Sequence, residues 1–187
     1  MKQAKLLALT ICLLVLCGCS KSEKYEEMYT SWRDSYFSAA EHSIQAVVKS
    51  SDDDKVCEYE LLYTLGADGE TVKVISPKLI TDITAHIDGD ETRLSYDGAM
   101  LETGSTLAEN LSPLMALPTF TDIIKEGHVE NAWREKIDDT QMLVTELEMP
   151  DGAIMTLWQN YSDSNPVYAD IRSGSRVELK IQFTKIN

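Results

Sequence analysis

Cysteine is scarce in this chain, and its placement matters more than its number. Of four cysteines in 187 residues, Cys12, Cys17 and Cys19 lie within the first 19 positions and only Cys57 lies beyond them. A disulfide framework in the body of the chain is thereby excluded, and stability must come from packing. Cys57 falls on the apolar phase of an alternating run, so it is expected as a small buried hydrophobe. Histidine is as sparse: His42, His86 and His128 are far apart, and none has a neighbour at metal-ligand spacing. The sequence has no His-Glu-x-x-His, no Gly-x-Ser-x-Gly elbow and no glycine-rich phosphate loop, and Gly104-Ser105-Thr106 lacks the context of a nucleophile turn. With no nucleophile, base or metal constellation, no enzyme, catalytic residue, metal or cofactor is expected. Positive charge is short as well, with 17 Lys and Arg against 31 Asp and Glu and a net charge of −14. Such a surface repels polyphosphate backbones and anionic headgroups, which argues against nucleic acid as a partner. The acidic runs Asp52-Asp53-Asp54 and Asp138-Asp139 lack the alternating ligands, bend glycine and distal Glu of a calcium loop, and read as solvated loops.

Long hydrophobic runs are also missing. The one apolar stretch, Leu6 to Cys17, is too short to cross a bilayer core, which takes about 20 residues, and it follows Lys2 and Lys5. This is the layout of a secretory signal. Its end, Leu16-Cys17-Gly18-Cys19, resembles the bacterial lipobox, departing only in the cysteine at the tolerant second position. The resemblance implies cleavage between Gly18 and Cys19 and acylation of the Cys19 thiol, with palmitate-like chains fixing the chain to the extracytoplasmic face of a cell membrane. One acyl chain binds only marginally, whereas several hold firmly. Ser20 is compatible with outer-membrane retention in a host with two membranes. Cleavage removes Lys2 and Lys5 and no acidic residue, taking the net charge from −14 to −16. The organisation expected is a signal over 1–18, a lipidated tether over 19–24 and one domain over 25–187.

Within that domain the periodicity changes along the chain. Tyr25, Met28, Tyr29, Trp32, Tyr36, Ala40, Ile44, Val47 and Val48 recur at helical spacing and predict one long amphipathic helix over 23–49. From Cys57 the period becomes two, and Asp-Gly or Ser-Gly pairs at 68–69, 88–89, 97–98, 151–152 and 173–174 mark tight turns. Strand-like runs lie near 80–87, 91–96, 99–103, 128–137, 141–149, 153–160, 166–172 and 175–186. Ser112-Pro113 and Thr119–Gly127 predict two short helices inserted among them. The fold class expected is α+β: a curved antiparallel sheet, an incomplete barrel, with the long N-terminal helix and the inserted helices covering its concave side.

This arrangement resembles the family of periplasmic lipoprotein carriers and outer-membrane receptors, the LolA/LolB-like fold. The resemblance rests on the long helix ahead of the Cys57–Leu65 strand, the Tyr96-Asp97-Gly98 turn, the Leu111–Ile124 insert and the closing pair 166–172 and 175–186. It implies a non-enzymatic domain that takes an apolar ligand, a lipid or an acylated protein, in a half-barrel cavity. Within the family, clostridial lipoproteins linked to spore germination share the signal-plus-domain layout, and that likeness implies action by protein contact. The soft side chains Met100, Met115, Met142, Met149 and Met155, with Trp133, Trp158 and Phe120, suit either an adaptable cavity or an irregular core. A cavity would be lined by Leu114, Met115, Leu117, Phe120 and Ile123 on the lid, with Trp32 and Tyr36 opposite. Two readings stay open: an apolar ligand inside the half-barrel, or a protein partner of the cell envelope docked on a sheet face or edge.

Overall fold

Period-two alternation governs the chain from residue 42 onward, and a computed structural model of the protein, which describes residues 20–52, 55–67, 69–89, 91–102, 112–173 and 176–187, turns nearly all of it into one sheet. The export signal, the lipobox residues Gly18 and Cys19, the acidic pair Asp53-Asp54 and Gly104-Ser105-Thr106 lie outside the described residues. Helix α1 spans Ser20–Phe37, so the positions assigned to a tether, 20–24, are already helical. The helix then stops well short of residue 49. Ser38 turns the chain by donating its N–H to Asp34 O (3.1 Å) and its hydroxyl to Ser35 O (2.7 Å). From there strand β1 runs His42–Asp52, with His42, Ile44, Ala46 and Val48 buried and the residues between them half-buried. The helical reading of Ile44, Val47 and Val48 thus gives way to an alternation that β-branched residues satisfy better.

The remaining strands are β2 (Lys55–Gly66), β3 (Gly69–Ser76), β4 (Thr84–Asp88), β5 (Glu91–Tyr96), β6 (Ala99–Glu102), β7 (His128–Ile137), β8 (Thr140–Glu148), β9 (Ala153–Asn160), β10 (Pro166–Ser173) and β11 (Arg176–Ile186). They form one 11-stranded antiparallel sheet in the order β6-β5-β4-β3-β2-β1-β11-β10-β9-β8-β7. The strand expected at 80–87 begins only at Thr84, because Lys78–Ile80 coil into a 3-10 turn that leaves Leu79 exposed. Strands β6 and β7 are the two free edges, although they are consecutive in the chain. Ahead of β7, a 3-10 turn, Pro113–Met115, runs straight into helix α2, Ala116–Glu126. The two inserted helices expected there are therefore one turn and one helix.

Two hairpins show how turn chemistry fixes register. Asp97 and Gly98 take φ of 48° and 78°, the pair of positive values that a two-residue type I′ turn requires. Asp138 and Asp139 do the same at 43° and 68° with no glycine, closing the β7–β8 hairpin. That pair is exposed, as a solvated loop should be, but it is also a tight turn.

One face of the sheet is mostly apolar, with Thr145 and Gln159 the fully buried polar side chains on it among the described residues. Ile44, Ala46 and Val48 of β1, Leu61 and Tyr63 of β2, Val72 and Val74 of β3, Leu143 and Leu147 of β8, Met155 and Leu157 of β9, Ala169 and Ile171 of β10 and Leu179 of β11 are fully buried in one cluster with both helices. Cys57, by contrast, is exposed. It pairs with Ser50 near the tip of the β1–β2 hairpin, two residues short of Tyr59. Phase alone does not bury a residue that lies beyond the end of the core.

Candidate functional site

The inner face is occupied by the protein's own side chains. Of the residues expected to line a cavity, Leu117 and Phe120 are fully buried, Ile123 nearly so, and Met115 and Tyr36 are buried, while Leu114 and Trp32 are half-buried and packed on the same cluster. Phe120 reaches from α2 onto Phe183 of β11 with ring centroids 4.8 Å apart. On α1, Tyr29, Trp32 and Tyr36 form a continuous aromatic run: Trp32 lies 5.9 Å from Tyr29 and stacks on Tyr36 at 5.7 Å. Tyr36 in turn stacks on His42 at 4.2 Å. Burial pushes the Tyr36 phenol up to about 12 and lowers the His42 imidazole, so both stay neutral at physiological pH. His42 is thereby a core histidine on a strand, not the helix-face residue that its sequence context suggested.

Helix α2 docks with its apolar stripe inward and one electrostatic conflict. Asp122 faces outward, yet the surrounding protein crowds its carboxyl, and Glu70 of β3 and Glu126 add like charge. Burial first, then those two neighbours, push its pKa up to about 6. Glu70 itself accepts a hydrogen bond from the Tyr63 hydroxyl at 3.1 Å.

The outer face carries a mainly apolar row that neither α1 nor α2 covers. Register places Trp133 of β7 beside Val144 of β8, Trp158 of β9, Tyr168 of β10, Gln182 of β11 and Val47 of β1. Both indole N–H groups donate to one carboxylate, Glu135, at 3.2 Å from Trp133 and 2.7 Å from Trp158. Along this row an open groove of about 320 Å³ is lined by Val47, Ile137, Trp158 and Tyr168, with Lys49, Asp170 and Lys180 also at its walls. Sequence reasoning missed this surface because each residue sits on the solvent phase of its own strand. Only the cross-strand register brings them together. The methionines divide likewise: Met115, Met142 and Met155 are buried, Met149 is half-buried, and Met100 on edge strand β6 is exposed beside Leu101.

The histidines, separated in sequence, do not meet in space. His86 lies 3.0 Å from the Ser95 hydroxyl. His128 Nε2 lies 2.7 Å from Glu130 Oε1, with Glu148 opposite on β8. Among the described residues no helix is long and apolar enough to cross a membrane.

No family model matches the chain, and no curated protein matches it. Solved structures do. An uncharacterized conserved protein from Thermus thermophilus aligns at 8% identity over 87% of this chain and 86% of that chain, with a TM-score of 0.51. A LolA superfamily protein from Nitrosomonas europaea aligns at 13% identity over 90% and 94%, with a TM-score of 0.48. A chain in the structure of the CwlD amidase from Clostridioides difficile in complex with the GerS lipoprotein aligns at 19% identity over 86% and 93%, with a TM-score of 0.41. At these identities the likeness is one of fold alone. An 11-stranded antiparallel sheet left open between β6 and β7, with two helices on its inner side, is an open half-barrel.

Proposed function

We propose that this chain is a membrane-tethered, non-enzymatic docking module of the cell envelope, anchored through an acylated Cys19, and that it binds a protein partner on the outer face of its sheet. The observation that carries this reading is the pairing of a packed inner face with an open outer groove lined by Val47, Ile137, Trp158 and Tyr168, with Trp133 in the same cross-strand row. Aromatic side chains held by hydrogen bonds present large apolar area at little entropic cost, which is what anchor positions of protein interfaces require. Glu135 accepts from both indole N–H groups and so fixes two half-buried rings on this face.

The test is site-specific photo-crosslinking in the native host. A benzophenone amino acid at Tyr168 is expected to capture one discrete envelope protein, while the same probe at Glu27, exposed on α1, captures none. Crosslinks to lipid alone, or the same products from both positions, would overturn the reading.

A second reading, an apolar ligand beneath α2, draws on one observation. Helix α2 packs on the inner face without being paired into the sheet, so it can lift without breaking a strand. In that reading Leu114, Met115, Leu117, Phe120 and Ile123, with Trp32 and Tyr36, become ligand contacts once the helix moves. Uptake of a fatty acid or phospholipid by the purified domain would favour it.

A further inference from the structure

Three side chains where edge strand β7 begins and β8 ends have no role in docking. His128 and Glu130 lie on β7, Glu148 lies on β8, and their nearest donor atoms all fall within 4.8 Å of one another. Two independent features of the backbone bring them together. Antiparallel register sets Glu148 directly opposite His128. A β-bulge between Val129 and Asn131 then leaves Glu130 without a partner across the ladder. Bulges re-aim a side chain in this way, and here the extra residue turns its carboxylate to within 2.7 Å of the imidazole. Two residues along, Glu146 is neutralised by Arg172 at 3.3 Å, whereas no Lys or Arg lies within ion-pair distance of Glu130 or Glu148 among the described residues.

From this geometry we infer that His128, Glu130 and Glu148 form a divalent transition-metal site, of the kind that takes Zn²⁺. Imidazole nitrogen and carboxylate oxygen are both zinc ligand types, and three of them leave one position of the tetrahedron for water. Zinc bonds of about 2.0–2.2 Å place ligand atoms about 3.4 Å apart, so Glu148 closes by little more than about 1 Å at most, while the His128–Glu130 pair, now at 2.7 Å, opens by somewhat less. His128 and Glu130 side chains are 62% and 44% exposed, which leaves them free to make that movement. The acidic field of a chain with a net charge of −14 favours cation capture. The site also lies directly after Gly127, where α2 joins the sheet edge, so a bound ion ties the base of that helix to β7 and β8.

The test is a Zn²⁺ titration of the full chain purified in detergent, read by competition with a chromophoric chelator. One ion per chain is expected, with the affinity lowered at least about tenfold in His128→Ala and in Glu148→Gln, and unchanged in His86→Ala. Glu130→Gln, which leaves strand pairing intact, is expected to lose affinity to a similar degree. Zn²⁺ is also expected to raise the melting temperature of the wild-type chain and not that of His128→Ala. Absence of one-to-one binding, or binding that survives both His128→Ala and Glu130→Gln, would overturn the assignment.

Discussion

At the scale of single residues, a few side chains hold α2 in place and set the conditions under which it stays there. Phe120 is fully buried against Phe183. Phe120→Ala should lower unfolding stability by about 3–5 kcal/mol, measured by denaturant titration, because the cavity cannot be refilled from the sheet. Gly127 is fixed by contact: a Cβ there would stand 2.5 Å from the Ile123 carbonyl oxygen. Gly127→Ala is expected to cost about 1–3 kcal/mol through backbone displacement at the helix end. Asp122 works in the opposite sense. Its folded pKa of about 6 lies above the unfolded value of 3.8, so its charged form weakens the fold. That cost is fully present above pH 6 and fades as pH falls through the window from 6 to 3.8. Asp122→Asn should therefore raise the melting temperature at about pH 7.5 and give no gain at about pH 3.5. An equal gain at both values would show that the effect is not electrostatic.

At the scale of elements, most of the architecture is legible in the sequence, and the misses share a cause. Strands bounded by Asp-Gly turns read directly, because the positive-φ requirement is written in the residue type: β5 at 91–96 and β9 at 153–160 match the expectation residue for residue. The β7–β8 turn falls where expected, after the strand at 128–137, but its tight type is not legible because Asp138-Asp139 reaches that conformation without glycine. Replacing that pair with Asn-Gly should stabilise the protein by roughly 0.5–1 kcal/mol, since left-handed backbone is costly for residues with a Cβ, less whatever the exposed Lys136–Asp139 ion pair contributes. A thermal melt of Asp138→Asn/Asp139→Gly checks it. The helix-to-strand switch near residue 40 is missed because Ile44, Val47 and Val48 satisfy a period of 3.6 nearly as well as a period of two. Tertiary pairing with β2 and β11 decides the matter. Cys57 is misplaced for a related reason: alternation reports phase, not how far along a strand the core extends.

At the scale of the whole molecule, what sequence cannot carry is the relation between strands distant in the chain. Trp133, Trp158, Tyr168 and Val47 become one surface, and His128, Glu130 and Glu148 one cluster, only through register across the sheet. The helical insert shows the same limit. Its apolar stripe is visible in Leu117, Phe120, Ile123 and Ile124, but whether that stripe lines a cavity or fills it depends on the sheet it meets. Among the described residues the stripe is packed onto the sheet, and the outer groove remains as one of the open apolar surfaces. The most direct measurement is native mass spectrometry of residues 20–187 purified from bacteria, before and after incubation with fatty acid and phospholipid. The expected result is the bare polypeptide mass in both samples, as a filled inner face requires. A one-to-one lipid adduct, lost in Phe120→Trp where the bulkier ring occupies the same space, would contradict it.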